Sequence, residues 1–421
     1  MEHLLHYVWK HKLFSLKMLQ TTTGLPIEVI DPGLHNSNAG PDFFNAKLKI
    51  GDTLWVGNVE IHTLSSDWYR HKHDQDKTYN SVILHVASKV DCEIFRPNGE
   101  IIPQIQLTCP EQIQVHYKEL CQANAYPPCR SILASLSKLT IHSWLTSLQT
   151  ERLEQKAAII LKRLEHCNRN WEDAFFITLA RNFGFGLNGD AFETWAGMLP
   201  FRAIEKHRDD LFQVEAFFYG VAGFLEEEKE EDYYACLRKE FRYMQHKFEF
   251  TSTMDVSLWR LLRLRPGNFP FIRLAQLAYL YQKSDVLFSR LMEAETLNGV
   301  RKLLATRTSA YWEEHFVFGK ISSYSEKKIG DKSVDLLIIN TVIPFLYAYG
   351  LHKADDKMCA RAGYFLEELK AENNFITRKW KLAGISVETA ADSQALIQLQ
   401  KEYCEKRKCL YCRIGYEYLK V

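Results

Sequence analysis

The sequence has almost no excess charge: 53 lysines and arginines face 52 aspartates and glutamates, a formal net charge of +1. That excludes steering of the whole molecule toward nucleic acid or a membrane and leaves only local basic patches for such contacts. Cysteine is sparse, 10 in 421 residues, and is not spaced like a secreted disulfide framework. A reducing compartment, the cytoplasm, is therefore expected. No apolar run approaches the roughly 20 residues that cross a bilayer. The N-terminal MEHLLHYVWKHKLF interrupts its apolar residues with His, Lys and Trp, unlike a secretory signal. VDLLIINTVIPFLYAYG, broken by polar residues and Pro344, reads as a buried core helix rather than a span, so no membrane contact is expected. Fixed-period repeats, low-complexity tracts and Pro- or Ser-rich linkers are missing as well.

What is present is ordinary globular material, 46% hydrophobic and 25% charged, enough for two or three domains. Its character changes near residue 130. Residues 1–108 mix one helix with short alternating runs, whereas residues 134–420 carry long stretches of helical periodicity, so domains of residues 1–130 and 131–421 are expected. The fold class expected is α+β: an α/β domain with a mixed sheet, then an all-α domain ending in a cysteine cluster. Leu4, Leu5, Val8, Trp9 and Leu13 form a helical stripe, and PIEVID reads as a strand ended by Pro32-Gly33. FFNAKLKI and TLWVGNVEIHT form a hairpin around Gly51-Asp52. SSDWYRHKHDQD reads as a helix or turn, SVILHVAS as a buried strand, and EIFRPNGEIIPQIQL as a hairpin turning at Asn98-Gly99.

Within the first hairpin, strand geometry gives two acids a use. Glu60 and His62 are two apart and share a face, while Val59 and Ile61 face the other side. Asp42 follows the Gly40-Pro41 bend, which can bring its carboxylate across to Glu60. Two oxygen ligands beside a basic nitrogen suit a hard cation, Mg²⁺ or Mn²⁺. The bland alternative keeps Asp42 as a turn former and pairs Glu60 with Lys47 or Lys49.

GPDF, followed 18 residues after Asp42 by VEIH, on a hairpin preceded by a helix and strand and followed by a helical link and strand, resembles the PD-(D/E)XK nuclease superfamily. That resemblance implies a restriction-endonuclease-like fold for the first quarter of the chain. It implies Asp42 and Glu60 as metal ligands, the backbone carbonyl of Ile61 as a third, and His62 in place of the lysine that positions water. No clean Gln-x-x-x-Tyr element follows. The whole chain also resembles an uncharacterised bacterial family that shares AGPDF, VEIH, SDW, H-x-x-D and LHV.

Three further clusters bear on chemistry. In DWYRHKHDQDKTY, the residues Asp67, His71, His73, Asp74 and Asp76 offer ligands or phosphate contacts, with His73 and Asp76 the favoured pair; the alternative is a solvated face. His85, on an apolar strand, reads as a hydrogen-bonded core residue. Cys404, Cys409 and Cys412 form C-x4-C-x2-C, able to bind Zn²⁺ or part of an iron–sulfur cluster with Cys129 or Cys121 as the fourth ligand, or else to be separate thiols. Some nucleases of the superfamily close such a cluster with one cysteine from the nuclease part and three near the C-terminus. Arg260, Arg263, Arg265 and Arg273 surround a Pro-Gly-Asn turn with Phe269 and Phe271, suited to a phosphate backbone or to a structural corner.

The function expected is metal-dependent phosphodiester hydrolysis, with DNA or RNA as partner, Asp42 and Glu60 holding the cation and His62 serving water. Two rivals stand beside it: a non-catalytic nucleic-acid or protein-binding module on a degenerate nuclease fold, and hydrolysis of another phosphoester through the His73–Asp76 region.

Overall fold

Alternation of apolar and polar residues sets strand β3 (Phe43–Ile50). It buries Phe43, Ala46, Leu48 and Ile50 and leaves Asn45, Lys47 and Lys49 in solvent. Phe43 and Ala46 are three apart, which strict alternation forbids on one face. The conflict is absorbed at Asn45, whose φ of 56° lies in the left-handed region, with a register shift between Phe43 and Ala46. The computed structural model describes residues 2–14, 19–36, 38–284 and 286–420.

The chain forms two compact units, Met1–Ile141 together with Gln400–Val421, and His142–Leu399. The first opens with helix α1 (Glu2–Lys10), burying Leu4, Leu5, Val8 and Trp9; Leu13 falls past its end. Strands β1 (Ile27–Asp31), β2 (Leu34–His35) and β3 are followed by β4 (Thr53–Leu64) across the expected Gly51-Asp52 turn. Helix α2 (Asp67–Arg70) and a 3-10 turn, Lys77–Ser81, then lead to β5 (Val82–Lys89) and β6 (Gln104–Gln106), and α3 (Glu111–Gln122) follows. The sheet order is β1-β3-β4-β5-β6, with β2 pairing β3. β1, β3 and β4 are antiparallel neighbours, whereas β5 runs parallel to β4, and β6 parallel to β5. A parallel neighbour needs a crossover, and residues 65–81 supply it. The mixed sheet is as expected. The expected turn at Asn98-Gly99 is kept by backbone bonds from Arg96 to Glu100 and from Ile102 to Ile94 and by the bridge Phe95 to Ile101, but it is too short for paired strands, and the returning segment goes on to pair with β5.

The second unit is helical. Helix α4 (Lys138–His166) leads into it, and its core gathers Trp195, Phe217, Phe218, Phe345 and Trp312. The helical stretch Asp331–Lys353 does meet the length and apolarity of a membrane span, contrary to the sequence reading, yet 67% of its most apolar window is buried. Leu337, Ile338, Val342, Phe345 and Leu346 lie in the core, so it packs as a core helix. The division of the chain also departs from the expected one: residues 400–421, with their cysteines, belong to the first unit and not to the helical one. Arg407 Nη1 donates to the Leu120 carbonyl at 3.1 Å, and Tyr418 Oη to Glu119 at 3.1 Å, which anchors the segment on α3.

Candidate metal centre

The backbone brings the acids together. Gly40, at φ 101°, makes the bend into Pro41 and leads Asp42 to the start of β3. There the Asp42 N–H donates to Glu60 Oε2 at 3.0 Å, and the Ile61 N–H donates to Asp42 Oδ2 at 2.9 Å. Glu60 thus uses Oε2 to hold the neighbouring backbone and keeps Oε1 for a further partner. Glu60 pairs with His85 in the parallel register of β4 and β5, and His85 with Gln104 on β6. Glu60, His85 and Gln104 therefore form one row across three strands, with His62 on the same face. The crossover folds His71, His73, Trp68 and Tyr79 over that face; the Tyr79 ring stacks on His73 with centroids 3.8 Å apart.

Three imidazole ligand atoms gather there, with a Glu60 oxygen close to two of them. Glu60 Oε1 lies 3.3 Å from His73 Nε2 and 3.5 Å from His62 Nε2, and His62 Nε2 lies 3.2 Å from His71 Nδ1. The ligand atoms of His62, His71 and His73 all lie within 4.8 Å of one another. A tetrahedral ion with bonds of roughly 2.0–2.1 Å has ligand–ligand edges of about 3.3–3.4 Å, and these three separations are close to that length. His6 Nε2 reaches Asp42 Oδ2 from α1 at 3.4 Å.

Burial decides the charge states. Glu60 is 4% exposed and His62 2%. Burial first, and then the charge of Asp42, pushes the Glu60 carboxyl up to about 9. Burial and the neighbouring His85, His73 and His71 rings hold His62 down to about 2, and burial holds His85 down to about 4 and lowers His73. His62 and His73 are therefore neutral at pH 7, with lone pairs free for a cation. Burial opposes a proton on His6, but its hydrogen bond and attraction to Asp42 outweigh that and raise its pKa.

A second layer orients the first. His62 Nδ1 and His85 Nε2 are 2.9 Å apart. With Nε2 of His62 as ligand atom, its Nδ1 carries the proton and donates to His85, which then holds its own proton on Nδ1. That buried atom has no other partner, and Gln104, opposite it, interacts with the ring and donates Nε2–H to the Cys92 carbonyl at 3.0 Å. Such outer partners fix the tautomer and ring plane of a ligating histidine. His85→Ala is expected to weaken metal binding by about 10–100-fold, read by competition with a chelator; unchanged affinity would show that this chain orients nothing.

A family model described as a protein of unknown function (DUF2851) matches residues 2–375. The chain belongs to that family. No curated protein and no solved structure matches it. The matched span holds every residue of the histidine centre, and Cys129, but ends before Cys404.

Elsewhere in this DUF2851 chain the other sequence candidates take different places. Asp76 is exposed, and its Oδ1 caps the 3-10 turn by accepting from the Thr78 N–H at 2.9 Å, so His73 joins the centre without it. Asp67 is buried against Arg70 at 2.8 Å and accepts from the Leu64 N–H at 3.2 Å, a local brace for the crossover. Asp74 has one buried oxygen without a hydrogen-bond partner. The backbone of Ile61 contributes its N–H, to Asp42. Arg260, Arg263 and Arg265 are exposed, but Arg273 is not available to a phosphate. It is 6% exposed, donates to Gln276 Oε1 and Asn268 Oδ1 at 2.8 and 2.6 Å, and lies over the Phe185 ring. Arg273 therefore belongs to the structural corner. Sequence reading missed the basic cleft of about 820 Å³ in the helical unit, where Lys283, Arg301, Arg307 and Lys328 meet from distant segments. It also missed His6 and Gln104, which no local spacing connects to the acids.

Proposed function

We propose that the chain is a metal-dependent phosphodiesterase acting on DNA or RNA, with its ion held by Glu60, His62, His71 and His73 beside Asp42. The observation that carries this reading is the set of 3.2–3.5 Å separations between their ligand atoms. Three imidazoles and a carboxylate suit Mn²⁺, Fe²⁺ or Zn²⁺ better than Mg²⁺, which prefers oxygen. An ion there would act as a Lewis acid toward a phosphoryl oxygen and acidify a water.

Phosphodiesters are favoured over other esters by the order of elements. A helix, an antiparallel meander, a crossover and a parallel strand follow one another, with Asp42 at the start of the middle strand and Glu60-Ile61-His62 on the last. That order supports the PD-(D/E)XK resemblance. Next to Asp42, His3, His6, Lys10, His35 and Tyr411 line a shallow cleft, whose Lys10 suits a phosphate contact. In the helical unit, Lys283 and Arg307 share a cleft with Arg301 and Lys328, which pair with Asp335 and Glu326, and offer a local basic contact for nucleic acid. Ten cysteines without a disulfide among them suit a cytoplasmic setting.

The test is cleavage of plasmid, single-stranded DNA and RNA by the purified chain with Mn²⁺, Zn²⁺ or Mg²⁺. Cleavage with Mn²⁺ or Zn²⁺ that a chelator stops is expected; no cleavage of any substrate by metal-loaded protein would overturn it. The near-complete burial of Glu60 and His62 favours one rival, a non-catalytic binding module whose ion only braces the crossover, and bound metal without turnover would select it.

Proton linkage offers an independent check. In the metal-free fold Glu60 holds its proton up to about 9, whereas an unfolded glutamate loses it near ~4.3. Its contribution to metal-free stability is thus fully present below the unfolded value and is lost as pH rises through about 9. A cation must expel that proton. Between pH 7 and 8.5, affinity should rise about tenfold per pH unit, with about one proton released in calorimetry across buffers of different ionisation heat. Metal uptake without proton release would remove Glu60 from the ligand set.

A further inference from the structure

Four thiols far apart in sequence meet in the first unit. Cys129, at the start of the 3-10 turn Arg130–Ser135, and Cys404, Cys409 and Cys412 line one cavity of about 320 Å³, walled also by Leu120 and Tyr403. Each is near enough to feel the others: Cys129 senses the charge of Cys412 and Cys409, and Cys404 that of Cys412, Cys129 and Cys409. Cys121, the other sequence candidate, is exposed and does not line the cavity.

Local geometry serves this convergence. Cys404 ends a π-helical turn, Leu399–Cys404, and Arg407, at φ 53°, reverses the chain so that Cys409 and Cys412 return to the same side. The Cys412 N–H then bonds the Cys409 carbonyl at 3.2 Å. Gly415 is needed just beyond. A Cβ there would come within 2.1 Å of the Cys409 carbonyl oxygen, so only glycine lets the C-terminal helix Arg413–Lys420 start against the cysteine turn.

Buried cysteines usually pack as small hydrophobes against aliphatic neighbours. Here two buried thiols, Cys129 and Cys412, and two half-buried ones, Cys404 and Cys409, line a single cavity, a grouping that packing alone does not call for. None of the ten cysteines is in a disulfide, and thiolates grouped in this way are ligands for soft metals.

We propose that Cys129, Cys404, Cys409 and Cys412 bind a thiolate-liganded metal centre, either one Zn²⁺ or an iron–sulfur cluster, that ties the C-terminal segment to the region after α3. Each thiol gives up its proton to solvent as it becomes a ligand. The centre is independent of the histidine site, so either can fail without the other.

The test uses the full chain. Loading with Co²⁺ reports mononuclear thiolate ligation by its sulfur-to-metal charge-transfer absorption; anaerobic reconstitution with ferrous iron and sulfide reports a cluster by visible absorption and electron paramagnetic resonance. One of these signals should appear in the wild type, persist in Cys121→Ser and in His73→Gln, and fall at least about tenfold in Cys129→Ser and Cys412→Ser. Melting by circular dichroism identifies any variant that fails to fold, and for that variant alkylation of the wild type gives the answer: Cys129 and Cys412 should be protected by metal and exposed by chelator. A wild type with neither signal, or a signal unchanged in both variants, would overturn the proposal.

Discussion

Glu60→Gln is expected to reduce metal-dependent phosphodiester cleavage by about a thousandfold, roughly 4 kcal/mol of transition-state stabilisation. Glutamine can still accept the Asp42 N–H that now bonds Glu60 Oε2, so the β3–β4 contact survives while the charge is lost. Stability should move the other way. The wild-type acid is buried and raised to about 9, which makes the metal-free fold progressively costlier as pH climbs from the unfolded carboxylate range. Glutamine resembles the protonated acid and has no such slope. Thermal melts of the metal-free proteins should therefore show the variant gaining on wild type with rising pH, up to about 9. Activity lost with stability gained is the mark of a ligand kept against the interest of the apo fold. Retained cleavage in Glu60→Gln would remove the carboxylate from the mechanism.

His73→Gln should lower Mn²⁺ or Zn²⁺ affinity by more than about a hundredfold, since losing a ligand exceeds the 10–100-fold typical of a second-layer partner. The His73 ring is pinned by Tyr79 on one side and Trp68 at its edge, so its orientation is fixed before any ion arrives. That pinning reduces the ordering needed on binding. His62→Gln should match it in affinity but cost more stability, because His62 also bonds His85 within the core. Equal affinity of wild type and both variants, measured by chelator competition, would show that the imidazoles are not ligands.

Much of the candidate site was readable, but only along single strands. The bend at Gly40-Pro41 and the period of two that puts Glu60 and His62 on one face are local, and the structure keeps both. The alignment of His85 and Gln104 with Glu60 is different in kind: it depends on the parallel register of three strands, which local periodicity does not carry. His71 and His73 enter the site because the crossover folds back over the sheet, a tertiary event. Arg273 misled for a related reason. Its sequence neighbours, Arg260, Arg263 and Arg265, are exposed, whereas the turn at Pro266 and the helix Pro270–Lys283 carry Arg273 inward to Gln276 and Asn268. The cysteines were seen as a group of three, and the choice of Cys129 as fourth rested on the return of the C-terminal segment to the first unit.

The account rests on one ion between Glu60 and the histidines, and anomalous diffraction from crystals grown with Mn²⁺ or Zn²⁺ tests that directly. A peak roughly 2.0–2.2 Å from Glu60 Oε1, His62 Nε2 and His73 Nε2 is predicted. Density from metal only at the cysteine cavity or on the surface, with His62 and Glu60 bonded to each other and to no ion, would contradict it.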